Sequence, residues 1–327
     1  MAVQNRRETL GAFVTVDEPV WEPPPWPEEC PAVGTYNVPY EEYRKWPALN
    51  AGALKYAVHV SAKHMRAAID GLFDSDSRDR KFGRAIHCRL LEPQEFSTRF
   101  LLAGTCEETI KSGARKGEPC GKAAGFYDGK HWFCGMHQKA HNGASEPEEY
   151  VDRAEVERCE RIAAAVKAHP IVKLLRQHGG AEVSLVWEWD GLPCKARLDK
   201  FITGADCPDT IIDLKKCQSC KADDHSLQTS IRQYGWDIQA AFYVAGAEKI
   251  TGTRPHFAFV FMEDNEPFDV RPVWASRAML AVGQAKVDRG FAIYKHAIAT
   301  GKWPGYCEQI EEFYPANFEL RQYGVTP

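Results

Sequence analysis

The sequence predicts an α/β fold: a central mixed β-sheet flanked by helices, with a small insert rich in cysteine and histidine. Three observations lead to it. Through most of the first half, apolar residues recur at helical spacing, as in Phe82, Ile86 and Leu90 at i, i+4 and i+8. After Gly179-Gly180 the period becomes that of strands, in "AEVSLVWEW" and "LPCKARLDKFI", joined by the hairpin dipeptide Asp190-Gly191. Between residues 104 and 145 neither period holds, and glycine, lysine, cysteine and histidine dominate.

In chain order, residues 1–35 form a proline-rich arm, since "DEPVWEPPPWPEECP" cannot sustain regular structure. Residues 36–103 read as the helical part of the domain, with short helices separated by Pro47 and Gly52. A charged loop, "DSDSRDR", then leads to "KFGRAIHCRLLEP", a helix closed by Pro93. After the insert, residues 146–327 form the main body. A helix runs from about Glu148 to Pro170, with a further turn in "IVKLLRQH". The hairpin follows, then a third strand, "TIIDLKKC", and a helix over 234–249. "HFAFVFME" is a further strand, and a long helix spans about Trp274 to Thr300.

Composition narrows the function classes. A content of 44% hydrophobic and 26% charged residues is that of a globular protein, which excludes a disordered or membrane-embedded chain. The first twenty residues lack a signal-peptide pattern, so the expected location is cytoplasmic, in a bacterial host if the gene is phage-borne. A net charge of −4 gives no global attraction to nucleic acid, so any such binding must come from local basic patches and bound cations. Eleven cysteines in a reducing compartment point to metal binding or chemistry, and the odd number argues against full disulfide pairing.

Asp213 and Lys215 flank Leu214 near the end of the third strand. Alternation puts both charges on one face and the leucine on the other. Asp199 sits near the end of the preceding strand, so two carboxylates and an ammonium can converge on one cleft. Carboxylate oxygens completed by water are what Mg²⁺ requires when it works on phosphate. The plainer alternative is a surface ion pair beside a turn aspartate, with His87 a packed helix histidine.

Asp199, thirteen intervening residues, then Asp213-Leu214-Lys215 resembles the D…(D/E)xK signature of PD-(D/E)XK nucleases. "GRAIHCRLLEP", "ARLDKF" and "QYGWDIQAAFY", in that order, are similar to the motifs of the RecE-type exodeoxyribonuclease VIII branch, related to lambda exonuclease. The resemblance implies a restriction-endonuclease-like core and a Mg²⁺- or Mn²⁺-dependent exonuclease resecting double-stranded DNA ends 5′ to 3′ in phage-type recombination. It implies a ring-shaped homo-oligomer and a single-strand annealing partner, with no membrane. It further makes His87, Asp199, Asp213 and the Leu214 carbonyl the metal ligands. Lys215 orients the attacking water, Gln239 and Tyr243 lie near the scissile phosphate or brace the lysine strand, and Glu182 is an accessory site residue. Lys216-Cys217 departs from the family, where a threonine is common after the lysine. Competing readings are an endonuclease or Cas4-like nuclease of the same fold, or a non-catalytic zinc-containing DNA-binding adaptor.

In the insert, Cys106, Cys120, Cys134 and His137 form a Cys₃His set suited to a structural Zn²⁺, which supplies folding energy that a core this small lacks. Lys111, Arg115, Lys116, Lys122 and Lys130 are candidate phosphate contacts, or simply a solvated loop. Cys217 and Cys220 read as structural thiols.

Overall fold

The computed structural model describes residues 21–325 apart from 74–76, 205–207, 221–223, 308, 311, 313 and 316, so most of the N-terminal arm lies outside the described residues. β1 (Gly34–Tyr36), α1 (Tyr40–Lys45), α2 (Ala51–His59) and α3 (Ala62–Ile69) open the fold. α4 (Arg78–Leu91), α5 (Phe96–Arg99) and β2 (Leu101–Leu102) follow. The insert holds the hairpin β3 (Phe126–Tyr127) and β4 (Trp132–Phe133); β5 (Tyr150–Val151) then pairs in parallel with β2 and closes its neck. α6 (Arg153–Ala168) and α7 (Val172–Leu175) lead to β6 (Gly179–Trp189), β7 (Leu192–Ile202) and β8 (Thr210–Cys217). The chain continues through α8 (Asp224–Tyr234), α9 (Trp236–Thr251), β9 (His256–Glu263), β10 (Val270–Trp274), α10 (Arg277–Thr300) and α11 (Asn317–Gln322).

Six strands make one mixed sheet in the order β1-β6-β7-β8-β9-β10. β8 and β9 are its only parallel neighbours among the described residues, joined through α8 and α9; every other pair is antiparallel. Each face buries its own core. Trp187, Leu198, Ile211 and Phe259 pack under α2, α9 and α10, and Ile202, Ile212, Leu214 and Val260 pack under α4 and α6. β8 follows the period of two, so Asp213 and Lys215 share the face of Ile211, toward α9, while Leu214 anchors the strand on the α4 side. No helix among the described residues is long and apolar enough to cross a membrane.

Several local boundaries differ from expectation. Gly52 breaks nothing, because the Asn50 side chain accepts the Ala53 N–H at 3.0 Å and starts α2 at Ala51, ahead of the glycine. The break comes instead at Ser61, which caps α3. The helix expected from Glu148 begins at Arg153, where Asp152 and Glu155 form a capping box. The helix expected over 234–249 is α9, starting at Trp236, and a further helix, α8, precedes it, with Gly235 left-handed at φ 62 between the two. The last long helix starts at Arg277, capped by Ser276, because the residues up to Trp274 pair with β9 as β10. Pro272 in β10 is compatible with its place at a sheet edge.

α4 carries much of the electrostatic anchoring. Lys81 is buried and donates to Glu146 Oε1 (2.9 Å) and to the Pro147 carbonyl (2.7 Å). Arg84 grips Glu149 at 2.6 Å, and the Arg78 guanidinium lies 3.9 Å from the Tyr150 ring. The helix that presents His87 therefore also clamps the strand leaving the insert.

Two glycines give opposite expectations. A Cβ on Gly283 of α10 would lie 2.1 Å from the Asp237 carbonyl oxygen of α9, whereas a Cβ on Gly83 of α4 would meet nothing within 4 Å. Gly283→Ala is expected to destabilise the fold by about 1–3 kcal/mol, the overpacking cost outweighing the gain in helix propensity. Gly83→Ala is expected to stabilise it by about 0.5–1 kcal/mol. Urea denaturation midpoints of the two variants check both signs.

Candidate active site

The site forms where β6, β7 and β8 lose regular pairing. The β7–β8 ladder runs from Ile202↔Thr210 to Lys200↔Ile212 and stops there. The β6–β7 ladder keeps its register but lacks the pair between Ala181↔Lys200 and Val183↔Leu198, where Glu182 faces Asp199. Opposite Asp199, Glu182 takes φ 52, a left-handed backbone that costs a non-glycine residue about 1 kcal/mol. The core face of β7 changes phase at the same point, with Cys194, Ala196 and Leu198 followed by Phe201. Val183 and Leu198 face the α9-side core, so alternation turns their neighbours Glu182 and Asp199 toward α4.

His87, Glu182 and Asp199 bring one ligand atom each to within 4.8 Å of one another. His87 Nδ1 lies 3.4 Å from Asp199 Oδ1, and Asp199 Oδ2 accepts the Leu214 N–H at 2.7 Å. Arg197 holds Glu182 by a 2.8 Å bond from Nε and also donates to the Val38 carbonyl and the Ser184 hydroxyl. Glu182, expected only as an accessory, is thus a full member of the tight group. Asp213 stands beside that group rather than within it.

On the α9 side, Asp213 is 1% exposed. Its Oδ1 accepts from Gln239 Nε2 at 2.8 Å, and Lys215 Nζ lies 2.5 Å from Oδ2. The ammonium thus sits against this buried oxygen as a close ion pair. Gln239 Oε1 faces Lys215 Nζ at 3.4 Å, and the Trp236 ring centre lies 5.7 Å from that nitrogen. Tyr243, one turn along α9 from Gln239, is half-buried, and burial holds its hydroxyl well above the usual tyrosine range. The α9 face therefore binds Asp213 and Lys215 into one polar network.

Burial opposes charge on His87, yet the charge and hydrogen bond of Asp199, with Glu182 behind them, raise it to about 9. Burial likewise pushes Asp199 up, but His87, Lys215 and the Leu214 N–H bring it below the usual carboxylate range. Asp213 moves the other way: burial and the Asp199 charge raise it despite Lys215. Two carboxylates and an imidazole in one tight group, next to the buried carboxylate of Asp213, fit a hard divalent cation. The Leu214 carbonyl belongs to the β8 segment left without a β7 partner.

In the insert, Cys106, Cys120 and Cys134 are buried, and their sulfurs and His137 all lie within 4.8 Å of one another. His137 Nδ1 stands 3.3 Å from Cys106 Sγ and 3.6 Å from Cys134 Sγ. The corresponding edge of a zinc tetrahedron is about 3.5 Å, from Zn–S and Zn–N lengths of roughly 2.3 and 2.0 Å. His131 lies instead beside Asp128, and His141 pairs with Glu108 at 2.6 Å. Lys111, Arg115, Lys116, Lys122 and Lys130 are exposed, with Lys111 on Glu108 and Arg115 on Glu118. Cys217 and Cys220 approach to 3.5 Å, and among the described residues they join no metal-sized group.

Sheet order, flanking helices and acidic cluster together define a PD-(D/E)XK-like domain. The family model for a PDDEXK-like domain of unknown function (DUF3799) matches residues 53–314, and the chain belongs to that family. A solved structure described as a "Putative exonuclease" from Eubacterium rectale superposes with a TM-score of 0.52 at 14% identity, covering 87% of this chain and 98% of that one. That likeness is one of fold. The structure of SSO0001 is 16% identical over 42% of this chain and 68% of its own, with a TM-score of 0.23, too low to support an argument. No curated protein matches the chain.

Sequence reasoning did not single out Arg197 or Lys55. Arg197 stood within the quoted "ARLDKF" and could have been found there as the partner of a carboxylate. Lys55 left only a fainter trace, one lysine inside the apolar run "AGALKYAV".

The raised His87 value gives a signed prediction. The His87–Asp199 pair stabilises the fold fully below the ordinary imidazole value, and its contribution fades as pH rises through about 9. In chelator-treated protein the His87 ring protons are expected to titrate near 9 by NMR. With Asp199→Asn the main raising influence is lost while burial remains, so the midpoint drops far toward the ordinary value. A midpoint unmoved by that substitution would show that the pair does not set the histidine's charge.

Proposed function

We propose that this protein is a divalent-metal-dependent deoxyribonuclease, with Mg²⁺ or Mn²⁺ held by His87, Asp199, Asp213 and the Leu214 carbonyl, and with Glu182 as a further ligand. The observation that carries this reading is the convergence of His87, Glu182 and Asp199 beside the buried Asp213–Lys215 pair. A cation there supplies polarisation of a phosphoryl oxygen and a lowered pKa for bound water. Lys215 orients the water and balances charge building up on the phosphorane oxygens. Gln239 keeps Asp213 and Lys215 in register by donating to one and accepting from the other. Tyr243 supports that glutamine from the same helix face.

The motif order in the sequence favours the RecE-type branch, and with it an exonuclease that resects double-stranded DNA ends 5′ to 3′ in phage-type recombination. Assembly into a ring and cooperation with a single-strand annealing protein, in a bacterial cytoplasm, belong to the same proposal. The experiment is Mg²⁺-dependent digestion of 5′-labelled linear duplex and of circular duplex. Wild type is expected to degrade linear DNA and spare circles. Asp213→Ala and Lys215→Ala are expected to lower the rate at least about a hundredfold, the scale of losing electrostatic transition-state stabilisation. Equal rates in all three proteins would remove the mechanism, and cleaved circles would make the enzyme an endonuclease.

We also propose that Cys106, Cys120, Cys134 and His137 bind a structural Zn²⁺ that folds residues 104–145 as a separate module between the helical part at 36–103 and the core at 146–327. Purified protein is expected to carry one zinc per chain by elemental analysis, lost in Cys120→Ser and Cys134→Ser. Unchanged zinc in both variants would refute the assignment.

A further inference from the structure

We propose that Lys55 is a second phosphate-binding residue of the cleft, gripping the nucleic-acid backbone beside the scissile position. The inference rests on the nuclease reading above and names a substrate contact that reading does not contain.

Lys55 belongs to α2, a helix fixed at its start by the Asn50 cap and packed with α9 and α10 over the same core. Its Nζ lies 3.4 Å from Gln239 Oε1, the oxygen that Lys215 Nζ also approaches at 3.4 Å. Two ammonium groups from distant parts of the chain thus flank one amide oxygen, whose own NH₂ is committed to Asp213. Lys215 has Asp213 as its counter-ion. Lys55 has none: among the described residues no carboxylate lies within salt-bridge distance of its nitrogen.

An ammonium without a counter-ion normally swings into water, but the stem of Lys55 is trapped. A Cβ on Gly235 would lie 2.9 Å from Lys55 Cγ, 3.2 Å from Cδ and 3.4 Å from Cε. The lysine therefore runs across the bare backbone of the α8–α9 junction, where left-handed Gly235 leaves room for it. Burial first, then repulsion from Lys215, bring its pKa down to about 8, and Asp213 and Asp237 restore only part of the difference. The residue is only partly buried, so an anion from solvent can reach it. A partly desolvated cation held without its anion, next to a lysine–carboxylate pair suited to phosphate chemistry, is completed by a phosphodiester oxygen.

The test is fluorescence-anisotropy binding of a labelled linear duplex, with Ca²⁺ replacing Mg²⁺ to suppress turnover, across a KCl series for wild type, Lys55→Gln and Lys55→Arg. Each protein is first checked for an unchanged thermal unfolding transition. Lys55→Gln is expected to bind roughly tenfold more weakly at low salt and to lower the slope of log K against log salt by about 0.9, one phosphate contact. Lys55→Arg keeps the charge and is expected to retain the wild-type slope. In turnover assays with Mg²⁺, Lys55→Gln raises KM more than it lowers kcat. Identical affinity and slope in Lys55→Gln and wild type would overturn the proposal while leaving the nuclease reading intact. A slope in Lys55→Arg as low as in Lys55→Gln would assign the effect to stem packing and overturn it as well. A wild type that neither binds nor cuts duplex DNA would remove both.

Discussion

The carboxylate of Asp199 is the point on which the site depends. One oxygen takes the Leu214 N–H, which the β7–β8 ladder no longer pairs, and the other faces His87. A backbone donor left without a partner beside a buried carboxylate would cost on the order of 1–3 kcal/mol, so the side chain replaces the missing ladder bond. The two strands can then diverge without an orphaned amide. The gap so created admits the His87 side chain from α4 on one side and leaves Asp213 and Lys215 facing α9 on the other. The same carboxylate thus bears on both strand geometry and the charge of His87.

α4 ties that centre to the insert. Its lower turns hold Glu146, Glu149 and Tyr150 through Lys81, Arg84 and Arg78, while His87 reaches the cluster one turn further on. These pairs are partly or wholly buried, where breaking one partner leaves a charge uncompensated. The β2–β5 pairing pinches the neck of the insert at the same level. The insert is therefore held by salt bridges, a two-residue ladder and one small apolar cluster in which Trp132 packs against Ala103 and Tyr150. Its own interior is small: the three cysteines, with Ile110 packed against them. A module with that little apolar contact gains most from a cross-link at the cysteines.

The sequence shows those parts of the fold and site that obey a local period or motif. Asp213 and Lys215 were legible because alternation alone puts them on one face, and the hairpin of β6 and β7 because Asp190-Gly191 adopts the left-handed pair it favours. Glu182 was only half legible: alternation sets its face, but its meeting with His87 depends on the packing of α4, far away in sequence. Helix starts fell where a side-chain cap sits, as at Asn50, Ser61 and Asp152, and at Asn50 the cap outweighed the Gly52 signal. β1 and β10 escaped because short edge strands gain their stability from a neighbour distant in sequence. Lys55 escaped for a related reason, since it meets Gln239 across 184 positions of chain.

Charge in the cleft is sorted by strand. Glu182 and Asp199 lie with His87 at the break between β6, β7 and β8, while Lys215 and Lys55 gather around Gln239 on the α9 side. Asp213 stands between the two groups, coupled by charge to Asp199 and by contact to Lys215. Without another cation, the acidic side is balanced by a proton on His87, which is why that imidazole is held so far above its ordinary value. The basic side has no equivalent remedy: burial lowers Lys55, but at about 8 it still carries its charge near neutrality. One half of the cleft thus calls for a cation and the other for an anion. A phosphodiester accompanied by a divalent ion meets both demands in one ligand, whereas a metal alone or a free anion meets only one.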